Sequence, residues 1–313
     1  MTAVQLEDPS PCTVVFYVRA VTERFWLCLL RSKPSSPAGT SSVRREENSP
    51  NAFTLRSQDR GQSWQDPFPL DLEFGQPLRN VYVGSGPLVL PDGETLIPIE
   101  ATNQAGSQIV VVTRSRSSAR AVSPPGMCLE DHHGRLSYGD PRWTRLSDGT
   151  IVLLAWTFDN ITEETVLVSR SISTDNSQSW SAPSKTGLPS QVTTPLTLHF
   201  KTILAAGNVR FSPAGIWVWS SRDAGITWNL TSPVQLWDEK TEQIVGVPGV
   251  PKSVCDRDAD GIWNSLRSST FGTPDLLTLD DKRVLMTYYA TKRSVRTSGP
   301  ALLNSSEPRS RTH

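Results

Sequence analysis

Three short segments of this chain are copies of one another, and they limit the folds open to it more than any other feature. Ser221-Arg222-Asp223-Ala224-Gly225-Ile226-Thr227-Trp228 repeats Ser57-Gln58-Asp59-Arg60-Gly61-Gln62-Ser63-Trp64 and Ser173-Thr174-Asp175-Asn176-Ser177-Gln178-Ser179-Trp180. In each copy Trp stands five positions after Asp; Gly follows Asp by two in the outer copies, and Ser177 replaces it in the middle one. The chemistry is that of a hairpin turn. The Asp carboxylate accepts hydrogen bonds from turn amides, Gly takes the positive φ, and Trp packs back onto the sheet. Each copy follows apolar, strand-like residues, so the same turn is expected once per unit of a repeated β-sheet module.

A second repeat runs out of phase with the first. It reads Gly86-Pro87-Leu88-Val89-Leu90-Pro91-Asp92-Gly93, then Asp140-Pro141-Arg142-Trp143 leading to Asp148-Gly149, then Thr194-Pro195-Leu196, and finally Thr273-Pro274-Asp275-Leu276 leading to Asp280-Asp281. Pro87, Pro141, Pro195 and Pro274 are spaced 54, 54 and 79 residues apart. A period near fifty fits a four-stranded propeller blade: strand, Asp-Gly hairpin, strand, outer strand, Asp-Trp turn, outer strand.

These motifs resemble those of the sialidase (neuraminidase) superfamily, marked by a repeated Ser-x-Asp-x-Gly-x-Thr-Trp "Asp box". The resemblance implies an all-β fold, a six-bladed β-propeller, with boxes at Asp59–Trp64, Asp175–Trp180 and Asp223–Trp228 serving a structural role at the periphery. Five modules are legible: strands at 13–20 and 25–30, then about 82–121, 140–183, 191–233 and 273–290. Residues 237–272 read as a non-repetitive stretch, from which, or from terminal strands, a sixth blade would be built. One domain is expected over residues 1–292, followed by a polar tail at 293–313.

Composition excludes some partners. Lys+Arg and Asp+Glu both total 31, so no global field draws in nucleic acid or an anionic membrane. No apolar run approaches membrane-spanning length, and Met1–Ser10 lacks a basic region followed by an apolar one. A cytoplasmic protein is the default expectation, with secretion the alternative should a leader precede residue 1. Cys12, Cys28, Cys128 and Cys255 show no CxxC spacing. His132-His133 lacks a third ligand at a recognisable spacing, and the acidic run Asp256–Asp260 lacks the bidentate Glu of a calcium loop, so neither a metal nor a cofactor is expected. A locally read carbohydrate, a sialoside or another glycan, is the expected partner.

Propeller geometry directs the chemistry to residues where first strands begin, because these strands line the central channel. Asp140 and Arg142 form the leading pair: a carboxylate positioned as general acid and a guanidinium able to hold a sugar carboxylate bidentately. Asp275 is the expected second carboxylate. Glu100 and Asp159, at the ends of second strands, are further catalytic candidates, expected to face the flanks or the opposite end. Gln191, Arg31 and Tyr288 are the expected substrate contacts, with Tyr288 or Tyr289 ending the second strand of the last module. The superfamily's machinery is three arginines, a Tyr nucleophile polarised by Glu, and an Asp acid/base. No Arg-Ile-Pro motif occurs here, Phe271-Gly272-Thr273-Pro274 stands where the Tyr is expected, and Trp156-Thr157-Phe158-Asp159 stands where an Arg is expected. A sialidase-like hydrolase ranks first, a non-catalytic glycan-binding propeller second, and an Asp-box scaffold for protein partners third.

Overall fold

Runs such as Ile151-Val152-Leu153-Leu154-Ala155 and Ile216-Trp217-Val218-Trp219 are too short for a buried helix and rich in residues that suit a pleated surface, and they form strands. The computed structural model describes residues 19–21, 24–30, 52–57, 59, 62–63, 65, 68–69, 78–115, 126–211, 213–240, 243–248, 271–292 and 295–304. Every regular element among them is a strand, and the strands form five antiparallel sheets. The chain divides into two units, residues 1–127 and 128–313.

The first unit holds two sheets, the last strand of the second running across its boundary at residue 127. One orders β1 (Arg19–Val21), β2 (Arg24–Leu30), β3 (Ala52–Ser57) and β4 (Phe68–Pro69). The other orders β5 (Arg79–Val83), β7 (Thr95–Thr102), β8 (Gln108–Ser115) and β9 (Gly126–Leu129), with β6 (Leu88–Val89) also paired to β7. Val83, Ile97, Ile99, Ala101, Ile109 and Val111 form the core of this second sheet. Residues 13–18 of the expected first strand lie outside the described residues, as do Arg31, Trp64 and residues 116–120.

The second unit stacks three sheets. The third orders β10 (Leu136–Arg145), β11 (Ile151–Asp159), β12 (Glu164–Ser173) and β13 (Ser184–Lys185). The fourth orders β14 (Thr193–Thr197), β15 (Ile203–Val209), β16 (Gly215–Ser221), β17 (Val234–Asp238) and β18 (Gln243–Pro248). The fifth orders β19 (Phe271–Asp280), β20 (Arg283–Lys292) and β21 (Val295–Asn304). Side chains alternate across a strand, so the fourth sheet is covered on both faces. Ala205, Trp217 and Trp219 pack against Val152, Leu154 and Val168 of the third sheet. Ala206, Ile216 and Val218 pack against Phe271, Leu276 and Met286 of the fifth. First strands adjoin: Thr197 N–H donates to Thr144 Oγ1 (3.0 Å), and Thr194 Oγ1 donates to the Pro274 carbonyl (2.7 Å).

Two expectations change here. The 237–272 stretch is not wholly non-repetitive, because β18 adds a fifth strand to its sheet. The segment after residue 292, expected as a polar tail, carries ten-residue β21, in register with β20 from Lys292↔Val295 to Arg283↔Asn304. Its signal is weak in sequence because Pro300 interrupts the run, which an edge strand tolerates.

The expected Asp-Gly hairpins form. Gly93 and Gly149 have φ of 84° and 93°, and Asp92 and Asp148 each accept the amide two residues on, at 3.0 Å. The Asp boxes are equally regular. Asp59, Asp175 and Asp223 each accept a 2.8 Å bond from the Ser two residues earlier and a 2.9 Å bond from the amide four residues later. Bonds from Ser63 hold Asp59, and bonds from Ser179 hold Asp175, down at about 2. A depressed carboxylate contributes stability that is complete above the unfolded value near 3.8 and lost as pH falls through 2. Trp228 Nε1 donates to the Gly225 carbonyl (3.1 Å), whereas Trp180 Nε1 donates to Ser177 Oγ (3.1 Å).

Ser177 shares the left-handed conformation of Gly225 (φ 67° against 77°) but carries the side chain that this region disfavours. Ser177→Gly is expected to stabilise by about 0.5–1 kcal/mol, since Trp180 can donate to the carbonyl as Trp228 does. Urea unfolding checks this; a destabilised variant would show that the Ser177 hydroxyl outweighs the strain.

Candidate functional site

The site begins with a bulge used three times. The first strands β5, β10 and β19 each slip register, between Arg79 and Tyr82, between Gly139 and Arg142, and between Gly272 and Asp275. The second residue of each bulge has positive φ: Asn80 (50°), Asp140 (48°) and Thr273 (42°). Asp140 and Thr273 also precede proline, which normally holds a residue in the extended region. Such a conformation costs about 1–3 kcal/mol and persists where the surroundings over-determine it. In the second unit the bulge takes Asp140 out of the paired register, and its carboxyl lies within the electrostatic reach of Arg142 and Arg210.

Burial pushes the Asp140 carboxyl above the usual carboxylate range, and the charges of Arg142 and Arg210 oppose that rise without cancelling it. Arg142 is 7% exposed and donates through a terminal nitrogen to the Pro141 carbonyl (3.0 Å). Arg210 follows β15. Its Nε donates to Gln191 Oε1 at 2.6 Å, and its guanidinium carbon lies 5.5 Å from the centre of the Phe271 ring. Gln191 Oε1 also accepts from Asn208 Nδ2 (3.3 Å). Gly272 opens the space: a Cβ there would stand 3.0 Å from the Tyr289 hydroxyl and 3.2 Å from an Arg210 terminal nitrogen. Tyr289 and Arg210 therefore meet over Gly272, beside the bulge.

Of the residues expected from sequence, Asp140, Arg142 and Gln191 come together, and Arg210, Tyr289, Phe271 and Asn208 complete the cluster. The ends of second strands do not face the flanks. In an antiparallel hairpin the second strand ends where the first begins: Gly272 pairs with Tyr289, and Gly139 with Trp156. That register is the signal by which Arg210 becomes identifiable and Tyr289 is chosen over Tyr288. Tyr288, expected as a substrate contact, is buried against Trp237, ring centres 5.9 Å apart; burial raises its pKa, and alternation leaves Tyr289 to face the site.

The other candidates lie elsewhere. Asp275 is exposed, past the bulge, with its carboxylate accepting the Leu276 amide (2.9 Å). Asp159 accepts from Arg135 Nε (2.7 Å) and from the amides of Ile161 and Thr162, which close the turn after β11. Burial opposes these bonds, yet together they hold its carboxyl below the usual range. Glu100 is buried in the first unit and accepts from Gln108 Nε2 (2.5 Å). Among the described residues no group of three His, Cys, Asp or Glu could hold a metal ion. Two guanidiniums around one protonatable carboxyl suit an anionic ligand: the arginines bind its charge and the carboxyl donates a proton.

Comparison with known proteins agrees with this fold. No curated protein matches the chain. Among solved structures, a protein of unknown function from Dyadobacter fermentans DSM 18053 superimposes with TM-score 0.68 at 16% identity, over 92% of this chain and 75% of that one. The Hadza microbial sialidase Hz136 gives 0.56 at 14% identity, over 89% of this chain and 50% of that one. The Trypanosoma rangeli sialidase in complex with sialic acid gives 0.54 at 12% identity, over 91% and 44%. This chain thus spans half or less of the length of those two sialidases. A family model described as BNR repeat-like domain matches residues 3–244. With its three Asp boxes, its stacked antiparallel sheets and this match over residues 3–244, the chain belongs to the BNR repeat-like domain family.

Proposed function

We propose that this chain is a sialidase-like glycoside hydrolase acting on a terminal sugar acid. The observation that carries the reading is the bulge of β10, which sets Asp140 at φ 48° two residues before Arg142 and within the field of Arg210, with burial holding its carboxyl above the usual carboxylate range. In this reading the two guanidiniums hold the sugar carboxylate, and Asp140 delivers a proton to the departing glycosidic oxygen. Tyr289 supplies a neutral oxygen over Gly272, where a carboxylate would be repelled by the substrate's own charge. The fold is a β-propeller of the sialidase type with six blades as the proposed count, supported by the repeat spacing and by the likeness to sialidase structures.

The test is release of sialic acid from a fluorogenic sialoside by folded protein, beside a panel of uncharged aryl glycosides. Turnover of the sialoside alone is expected; turnover of a neutral sugar alone would move the substrate class and remove the anion-holding role of the arginines. A second reading, glycan binding without hydrolysis, is favoured by Phe271, which lies under Arg210 where the superfamily resemblance leads one to expect a tyrosine. Saturable binding with no released product would support it.

A further inference from the structure

Gln191 is an expected substrate contact; its carbonyl oxygen is engaged within the protein, while its buried Nε2 has no hydrogen-bond partner among the described residues. The residue is 3% exposed, and its carbonyl oxygen takes two donors, Arg210 Nε at 2.6 Å and Asn208 Nδ2 at 3.3 Å. Two donors on one oxygen fix the orientation of that amide. Gln191 is itself anchored where the fourth sheet begins, its N–H donating to the Asn208 carbonyl (3.1 Å). Arg210 is thus gripped on its inner edge by Gln191 and from one face by the Phe271 ring, while a terminal nitrogen reaches the space over Gly272. The grip uses a neutral oxygen. A carboxylate at the same place would grip as well or better, and it would also neutralise the guanidinium.

We propose that Gln191 is a positioning residue whose neutral amide orients Arg210 while leaving its positive charge uncompensated by its holder, so that this charge acts on Asp140 and on an anionic ligand. The proposal rests on the hydrolase reading for its kinetic consequences but not for its electrostatic ones. The charged and titratable groups that bear on Asp140 are Arg142 on its own strand and Arg210 beyond β15, with the Tyr289 hydroxyl from β20 beside Arg210. Arg210 lowers the pKa of Asp140, so weakening its field moves that pKa upward, and an added anion moves it the same way.

Gln191→Glu is the near-isosteric test, read in two ways. In the full chain, NMR titration of the Asp140 side-chain carboxyl is expected to show a higher midpoint in the variant. With the fluorogenic sialoside, KM is expected to rise about tenfold or more, with the alkaline limb of the rate profile displaced upward, because a charge-assisted anion contact is weakened. Gln191→Met, which removes the grip without adding charge, should raise KM with a smaller displacement of the limb. An unchanged Asp140 midpoint in folded Gln191→Glu overturns the proposal, whether or not the protein turns over any glycoside. A displaced midpoint in a protein that hydrolyses nothing sustains the proposal and defeats the hydrolase reading instead. Should Gln191→Glu fail to fold, Gln191→Met decides: unchanged KM there overturns the positioning role.

Discussion

Asp140→Asn is expected to lower sialoside turnover by about 10²–10⁴-fold, the usual worth of a positioned general acid, while the protein stays folded. Asn preserves the shape at the bulge and cannot donate an acidic proton. Two stability effects oppose each other in this variant. The carboxyl's pKa is raised in the folded state, so its ionised form is disfavoured there, and the stability it contributes is complete below the unfolded value and lost as pH rises through the folded one. Asn removes that loss at neutral pH. It also removes the negative partner of Arg142 and Arg210. The net change in unfolding free energy should stay within about 1 kcal/mol. In wild type the same raised pKa predicts that kcat/KM falls as pH climbs through it, since the proton donor is then spent. Steady-state kinetics across pH on wild type and variant, with a melting curve for each, check the prediction. Retained turnover in folded Asp140→Asn would remove Asp140 from the chemistry.

Gly215→Ala is expected to be the most damaging single-methyl change in the second unit. A Cβ at Gly215 would fall 1.9 Å from the Trp237 carbonyl oxygen and 2.9 Å from Gln235 Nε2. The first of these is backbone and cannot rotate aside, so β16 and β17 must separate locally. Gly215 pairs with Asp238 on one side and with Val209, the residue before Arg210, on the other. Trp237 packs on Tyr288, so the strain reaches the interface of the fourth and fifth sheets. A cost of about 3 kcal/mol or more is expected, at the upper end of overpacking changes. Urea unfolding measures it directly. A variant within about 0.5 kcal/mol of wild type would mean that the two strands are not held this closely in solution.

The parts of the fold that were legible in the sequence were those fixed by local spacing. Ser, Asp and Trp at set intervals specify a turn whose bonds close within eight residues, so the boxes at Asp175 and Asp223 could be placed without knowing what they pack against. The site was legible only on one side. Asp140 and Arg142 sit at the bulge inside β10 and Gln191 just before β14, and a repeat marks those places. Arg210 and Tyr289 sit where second strands end, and only the antiparallel register brings them back to the same point. Choosing Tyr289 over its neighbour depends on one residue of parity, which the bulge at Gly272 to Asp275 sets and no propensity encodes. The strand at 295–304 carries little local signal for a related reason: it is defined by its pairing with β20, and Pro300 breaks the run of strand-forming residues.

The central claim is that Arg142 and Arg210 read a negative charge. The most direct measurement is a calorimetric titration of the folded protein with N-acetylneuraminic acid and, separately, with its uncharged methyl ester. The account predicts saturable binding of the acid and binding at least about tenfold weaker for the ester, the loss expected when one charge-assisted, bidentate contact is removed. Equal affinity for the two, or binding of the ester alone, would contradict it.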